Sequence, residues 1–202
     1  MKLVREYMGL IILCALGLFV GGKASADVFS NAVSAHVEKM SSLYKKGDLV
    51  GAISEIRAAL ELQPGNTDLH FMLGNALYRV GDLRGAADAY AITTDLHERH
   101  FEAHMSYAFS LYYLGDLANA ETHWLSAMRL EPSSPFARTA LAVALFDRGN
   151  VEDAQTQYEY ALALDEKFAD FRNLEMDIRW KPRSLMIVKK LLHLVLDSAL
   201  LN

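Results

Sequence analysis

LYKKGDLVGA, residues 43–52, is written four times along this chain. The later versions are LYRVGDLRGA at 77–86, LYYLGDLANA at 111–120 and LFDRGNVEDA at 145–154. Their glycines, Gly47, Gly81, Gly115 and Gly149, stand 34 residues apart each time. A fixed period of this length marks an array of small supersecondary units. Each copy carries the same instructions. A helical stretch ends at Gly, which closes helices in the left-handed conformation. The next residue is Asp48, Asp82, Asp116 or Asn150, whose side chain suits the free N–H groups of a following helix. Gly then Asp is a stop and a start in two residues, so the spacing predicts helix–turn–helix units with almost no loop.

Apolar positions outside the turn agree. Ala52, Ile56 and Leu60 recur at four-residue steps, as do Ala86 with Tyr90, Ala120 with Trp124 and Met128, and Ala154 with Tyr158 and Leu162. This is one buried helical face. In the preceding helices Gly74, Ala108 and Ala142 hold equivalent places, where small residues let two helices approach closely.

With these residues in place, the chain resembles the tetratricopeptide repeat family, whose pattern is W-x2-L-G-x2-Y, then A-x3-F, A and P. The second copy matches with Leu73-Gly74, Leu77-Tyr78, Gly81-Asp82, Ala86 and Tyr90, and the third with Ala108, Leu111-Tyr112, Gly115-Asp116, Ala120, Trp124, Ala127 and Pro132. The frame gives units 33–66, 67–100, 101–134 and 135–168. The usual Trp is replaced by His36, His70, His104 and Arg138, and the closing Pro survives as Pro64 and Pro132 but gives way to Glu98 and Glu166. Lys39-Met40 stands where Leu-Gly is expected in the first unit, which suggests a looser first helix or an N-terminal cap. The resemblance implies an all-α, right-handed superhelical solenoid.

Two segments lie outside the array. Residues 1–26 read as a signal peptide: Lys2 and Arg5 precede an apolar run from Met8 to Val20, and Ala24-Ser25-Ala26 offers a cleavage site after Ala26. An exported, periplasmic protein is the expectation. Cys14, the only cysteine, lies in that run, so the mature chain has no thiol for a disulfide, a nucleophile or a metal. The full chain carries net charge −5, and removing Lys2, Arg5, Lys23 and Glu6 takes away a net +2 to leave −7. An acidic chain lacks the basic footprint of a nucleic-acid binder. At the other end, 169–202 reads as a degenerate helical pair. Phe171, Leu174 and Ile178 suggest one amphipathic helix ending near Trp180-Lys181-Pro182, since proline disfavours helix in the residue before it. Residues 184–201 form a last, mostly apolar helix with Lys189, Lys190, His193 and Asp197 on one side. Its expected role is the cap that such arrays need; self-association or partner docking, and contact with a membrane surface, are the alternatives.

No dinucleotide, P-loop, zinc-protease, nucleophile-elbow or calcium-loop motif occurs, so a non-enzymatic protein without a cofactor is expected. One cluster, LHERHFEAH, sets His97, His100 and His104 close in sequence. A four-residue step on one helix would pair two imidazoles for a metal, but the repeat frame puts a turn there. A metal- or small-ligand-binding protein using this turn is the alternative function.

The resemblance also implies that first helices line a concave face that takes a peptide or an amphipathic helix. Carried onto this chain, one row of that face is Tyr44, Tyr78, Tyr112 and Phe146, flanked by Phe71, Asn75, Arg79, Met105, Phe109 and Tyr113. Aromatic residues with a few polar handles are what interfaces favour. Asn75 and Arg79, one turn apart, suit a partner's backbone or carboxylate. Phe109 and Tyr113 stand where the family's clamp for acidic tails carries polar and basic residues, so a mixed apolar segment is expected instead of a highly charged tail. The function read from the sequence is a protein-interaction scaffold in an envelope assembly.

Overall fold

A computed structural model describes residues 22–170 and 172–200. The signal-peptide reading of the first residues falls largely outside them, as does Phe171. Among the described residues the regular structure is entirely helical. The chain divides into two compact units at Pro64/Gly65, each considered by itself.

The first unit holds α1 (Gly22–Lys45) and α2 (Leu49–Leu62). They pack through Val33 and Met40 on one side and Ala52, Ile53, Ile56 and Ala59 on the other, all buried. Met40 therefore fills the place expected for Gly, and Lys39 is tied down rather than loose. Its ammonium donates to Glu55 at 2.5 Å, and the ring of His36 meets the other Glu55 oxygen at 2.7 Å. Lys39 first, then His36, hold the Glu55 carboxyl below the ordinary range.

The second unit contains three helix pairs: α3 (Thr67–Val80) with α4 (Leu83–Leu96), α5 (Phe101–Leu114) with α6 (Leu117–Leu130), and α7 (Pro135–Asp147) with α8 (Val151–Leu164). Each helix packs on the next, and α3 also touches α5, so first helices share one face. After α8 come a 3₁₀ turn (Glu166–Ala169), a four-residue helix α9 (Arg172–Glu175) and the long α10 (Pro182–Leu200), which packs on α7 and α8. Among the described residues no helix is long and apolar enough to cross a membrane.

The Gly–Asp punctuation works as the sequence predicts. Gly81 has φ +87°, and the N–H of Asp82 reaches back to the Leu77 carbonyl at 3.0 Å, closing α3. Asp48, Asp82 and Asp116 each accept the N–H three residues on, at 2.8, 2.9 and 3.3 Å. Asn150 differs: its backbone is alike but its side chain makes no cap bond. Glu152 and Asp153 in the first turn of α8 supply the negative charge that a helix N-terminus favours.

The buried stripe of the second helices is shifted from the expected one. Ala52, Ile56 and Ala59 are buried, as are Ala86, Tyr90 and Thr93, Ala120, Trp124 and Ala127, and Ala154, Tyr158 and Ala161. Leu60, Met128 and Leu162 are only half-buried. At 3.6 residues per turn, a step of seven stays on one face, whereas a step of eight drifts about 80° away.

Gly74 shows how tight the pairs are. A Cβ there would lie 2.5 Å from the Tyr90 ring, which is 1% exposed and fixed by a 2.7 Å bond from its hydroxyl to Asn75 Oδ1. Gly74→Ala is expected to cost roughly 1–3 kcal/mol from overpacking, outweighing the ~1 kcal/mol gained from helix propensity. A urea titration showing unchanged or raised stability would contradict this packing.

Candidate partner-binding groove

First helices bring Tyr78 (α3), Phe109 and Tyr113 (α5), and Phe136 (α7) toward a common face. Phe109 and Phe136 have ring centroids 5.9 Å apart, and the Tyr112 hydroxyl donates to Asp147 at the end of α7. This face is not open. The chain's own residues 179–184 lie across it.

The seating uses both backbone and side chains. Trp180 enters between Phe109 and Phe136, edge to face with each, with centroids at 5.1 and 5.5 Å. Such pairs contribute beyond simple burial, and Trp180 is 5% exposed. The Arg179 guanidinium lies 4.5 Å over the Phe136 ring, and the Lys181 ammonium lies 4.5 Å over Tyr113 and 5.3 Å over Tyr78. Cations are attracted to ring faces at these distances. Two tyrosine hydroxyls read the main chain: Tyr78 donates to the Arg179 carbonyl at 3.1 Å, and Tyr113 accepts the Lys181 N–H at 2.9 Å. Tyr113 also meets Ser184 Oγ at 2.7 Å, and Ser184 donates to the Lys181 carbonyl at 2.9 Å. Arg183 donates to Asp147 at 3.1 Å.

Electrostatics follow from this burial. Tyr78, Tyr112 and Tyr113 are all pushed above the ordinary phenol range, chiefly by desolvation, with Asp147 adding to the effect at Tyr112. The three therefore stay neutral hydroxyls. Burial pushes Lys181 down.

The other residues expected on the face are placed as follows. Phe71 packs at a tilt against Tyr90 and His100, with centroids at 5.8 and 4.7 Å. Asn75 is turned inward, where it receives the Tyr90 hydroxyl, and Arg79 is exposed. Met105 is fully buried. Phe146 lies beneath the Lys190 ammonium at 5.9 Å. Tyr44, half-buried at the end of α1, belongs to the first unit.

The sequence reading missed Phe136, Arg179, Trp180 and Lys181. The amphipathic helix expected through Ile178 is reduced to the four residues of α9, with Leu174 buried and Ile178 half exposed. Asp177 is the local reason. Its carboxylate accepts the Arg179 N–H at 2.9 Å and the guanidinium at 2.6–3.1 Å, a side-chain turn that competes with helix.

The histidine cluster is not assembled into a ligand set. His100 Nδ1 caps α5 by accepting the Ala103 N–H at 3.3 Å. It occupies the 34-residue register of Asn66 and Ser134, which cap α3 and α7 in the same way. His104 is buried, with Nε2 2.9 Å from the Glu98 carbonyl and Nδ1 3.0 Å from His123 Nδ1. Among the described residues no group of three or more His, Cys, Asp or Glu is placed to hold a metal ion.

No curated protein matches the sequence. Among solved structures, the chain is similar to a crystal structure of MamA, with 18% identity and a TM-score of 0.65, covering 73% of this chain and 86% of that one. A MamA fragment from Desulfovibrio magneticus RS-1 aligns at 14% identity and TM-score 0.66 over 83% of this chain and 96% of its own. A tetratricopeptide repeat protein from Parabacteroides merdae ATCC 43184 aligns at 21% identity and TM-score 0.65, over 80% of this chain and 60% of that one. These likenesses concern the fold. The tetratricopeptide repeat profile itself matches residues 71–137 and 139–175, just over half of the sequence. The chain belongs to the tetratricopeptide repeat family, whose arrays generally serve as protein-interaction scaffolds.

Proposed function

We propose that this protein is a non-enzymatic scaffold that holds a partner segment across the first-helix face of α3, α5 and α7 within an exported, envelope-associated assembly. One observation carries the groove reading: the face already holds a stretch of polypeptide, gripped by two hydroxyls on its backbone and four aromatic rings on its side chains. A surface that seats one such segment has the chemistry to seat another. The export part rests on the leader at 1–26.

The test is capture from envelope extract by the mature chain and by a Tyr78→Phe, Tyr113→Phe variant, which loses the two backbone-reading hydroxyls but keeps the ring faces. Partners held by wild type should be retained at least several-fold less by the variant, at unchanged helicity. Equal retention would move the binding surface elsewhere. N-terminal sequencing of the endogenous protein in the same fraction should begin at Asp27; a start at Met1 would contradict the export reading.

A further inference from the structure

We infer that Arg179-Trp180-Lys181 is a tethered, displaceable ligand, and that the partner is a different protein presenting a tryptophan between two basic residues. This rests on the groove reading above and adds the identity of what the groove selects and what keeps it closed.

The selectivity is written in the seating. The Phe109–Phe136 slot takes an indole edge to face. On either side of it, ring faces meet cations: Phe136 under Arg179, and Tyr113 with Tyr78 under Lys181. An acidic segment would place carboxylates against these electron-rich faces and lose all three contacts. At residues 179–181 the tyrosine hydroxyls bond main-chain atoms, with Tyr113 also meeting the Ser184 hydroxyl just beyond, so they fix register without reading the side chains of the three central residues. What remains to discriminate partners is the pattern cation, indole, cation.

Three features make the segment exchangeable. It is neither helix nor strand, running as a turn and an irregular stretch between α9 and α10. The α10 helix is anchored separately on α7 and α8 through the buried Ile187, Val188 and Leu191, so the segment can leave while the helix stays. The indole N–H of Trp180 is buried without a hydrogen-bond partner among the described residues, so the seated state leaves a polar group unsatisfied that unseating returns to water. The same anchoring of α10 keeps the segment beside its own groove, which favours an outside partner over exchange between copies of this chain.

A tether supplies its ligand at an effective concentration near millimolar. If the segment's intrinsic dissociation constant is about 10–100 μM, an outside copy should therefore bind the intact protein on the order of 10–100-fold more weakly than a protein whose own segment is disabled. The experiment uses a fluorescein-labelled peptide, EMDIRWKPRS, copied from residues 175–184. Its anisotropy is titrated with the full chain and with full-chain Trp180→Ala and Arg179→Glu, Lys181→Glu variants. Both variants should bind it at least 10-fold tighter than wild type, and a peptide with Glu at both basic positions should bind neither. Because a variant can misfold, amide exchange on wild type supplies a second reading. Saturating unlabelled peptide should speed exchange at residues 179–181 and leave α10 unchanged.

Absence of peptide binding to folded variants, with no exchange response in wild type, would overturn the inference. Equal binding of the charge-reversed peptide would overturn its selectivity. A wild-type dimer in sedimentation that is lost in Trp180→Ala would assign the segment to a second copy and contradict the outside partner. The groove reading fails separately: if the peptide fails but captured partners still depend on Tyr78 and Tyr113, the groove stands and only the ligand pattern is wrong.

Discussion

Trp124→Ala is expected to lower the stability of the second unit by about 3–5 kcal/mol, the usual range for truncating a fully buried aromatic. Trp124 has no exposed surface, meets Phe109 edge to face at 5.2 Å and lies 5.8 Å from the Tyr112 ring. It sits between helices that have no other place to go, so the vacated volume cannot close without moving α5 or α6. Trp180→Ala removes a side chain of the same type that is nearly as buried, yet the expected loss is smaller, about 2 kcal/mol or less. The reason is that a segment can detach locally, so its substitution costs no more than the free energy of its own docking. Urea unfolding of the two variants side by side measures the difference. Equal losses would mean that residues 179–181 are an integral part of the core.

The second large effect is a loss of stability in acid. His104 donates from Nε2 to the Glu98 carbonyl, which leaves its Nδ1 as the acceptor for the Nδ1–H of His123. Tyr107 packs at a tilt against the His123 ring, with centroids 4.4 Å apart. Burial first, and His104 second, push His123 down from 6.5 to about 4, against a small opposing pull from Asp95. A histidine whose folded pKa is depressed binds fewer protons folded than unfolded between those values. Stability is therefore full above pH 6.5 and falls as the pH drops toward 4. The whole shift corresponds to roughly 3 kcal/mol, and the half-buried position reduces it to roughly 1–2 kcal/mol. Unfolding free energies measured across this window for wild type and His123→Gln should converge toward pH 4; parallel curves would show that the pair is not the acid-sensitive element.

How much was legible in the sequence depends on whether a residue obeys the repeat. Gly81, Asp82 and Ala86 declare a turn and a close helix contact because the same grammar recurs every 34 residues. His100 reads as an odd turn residue until it is set beside Asn66 and Ser134 in that register, where it is a cap. Leu60 was misplaced against Ala59 because a four-residue step repeated twice overshoots the helix face. Residues 177–184 belong to no repeat, so periodicity says nothing about them. Their signal is chemical: an Asp two residues before an Arg turns the chain, and a lone Trp between Arg179 and Lys181 lacks a helical stripe to join. Nothing in one dimension says that this Trp reaches back to Phe109, 71 positions earlier.

The most direct measurement is acrylamide quenching of Trp180 in a full-chain Trp124→Phe variant, where it is the sole tryptophan. Seated between Phe109 and Phe136, the indole should be strongly protected and should become accessible when the Arg-Trp-Lys peptide, prepared with a non-fluorescent tryptophan analogue, is added. Quenching as fast as free tryptophan before any peptide is added would show an empty groove and contradict the account.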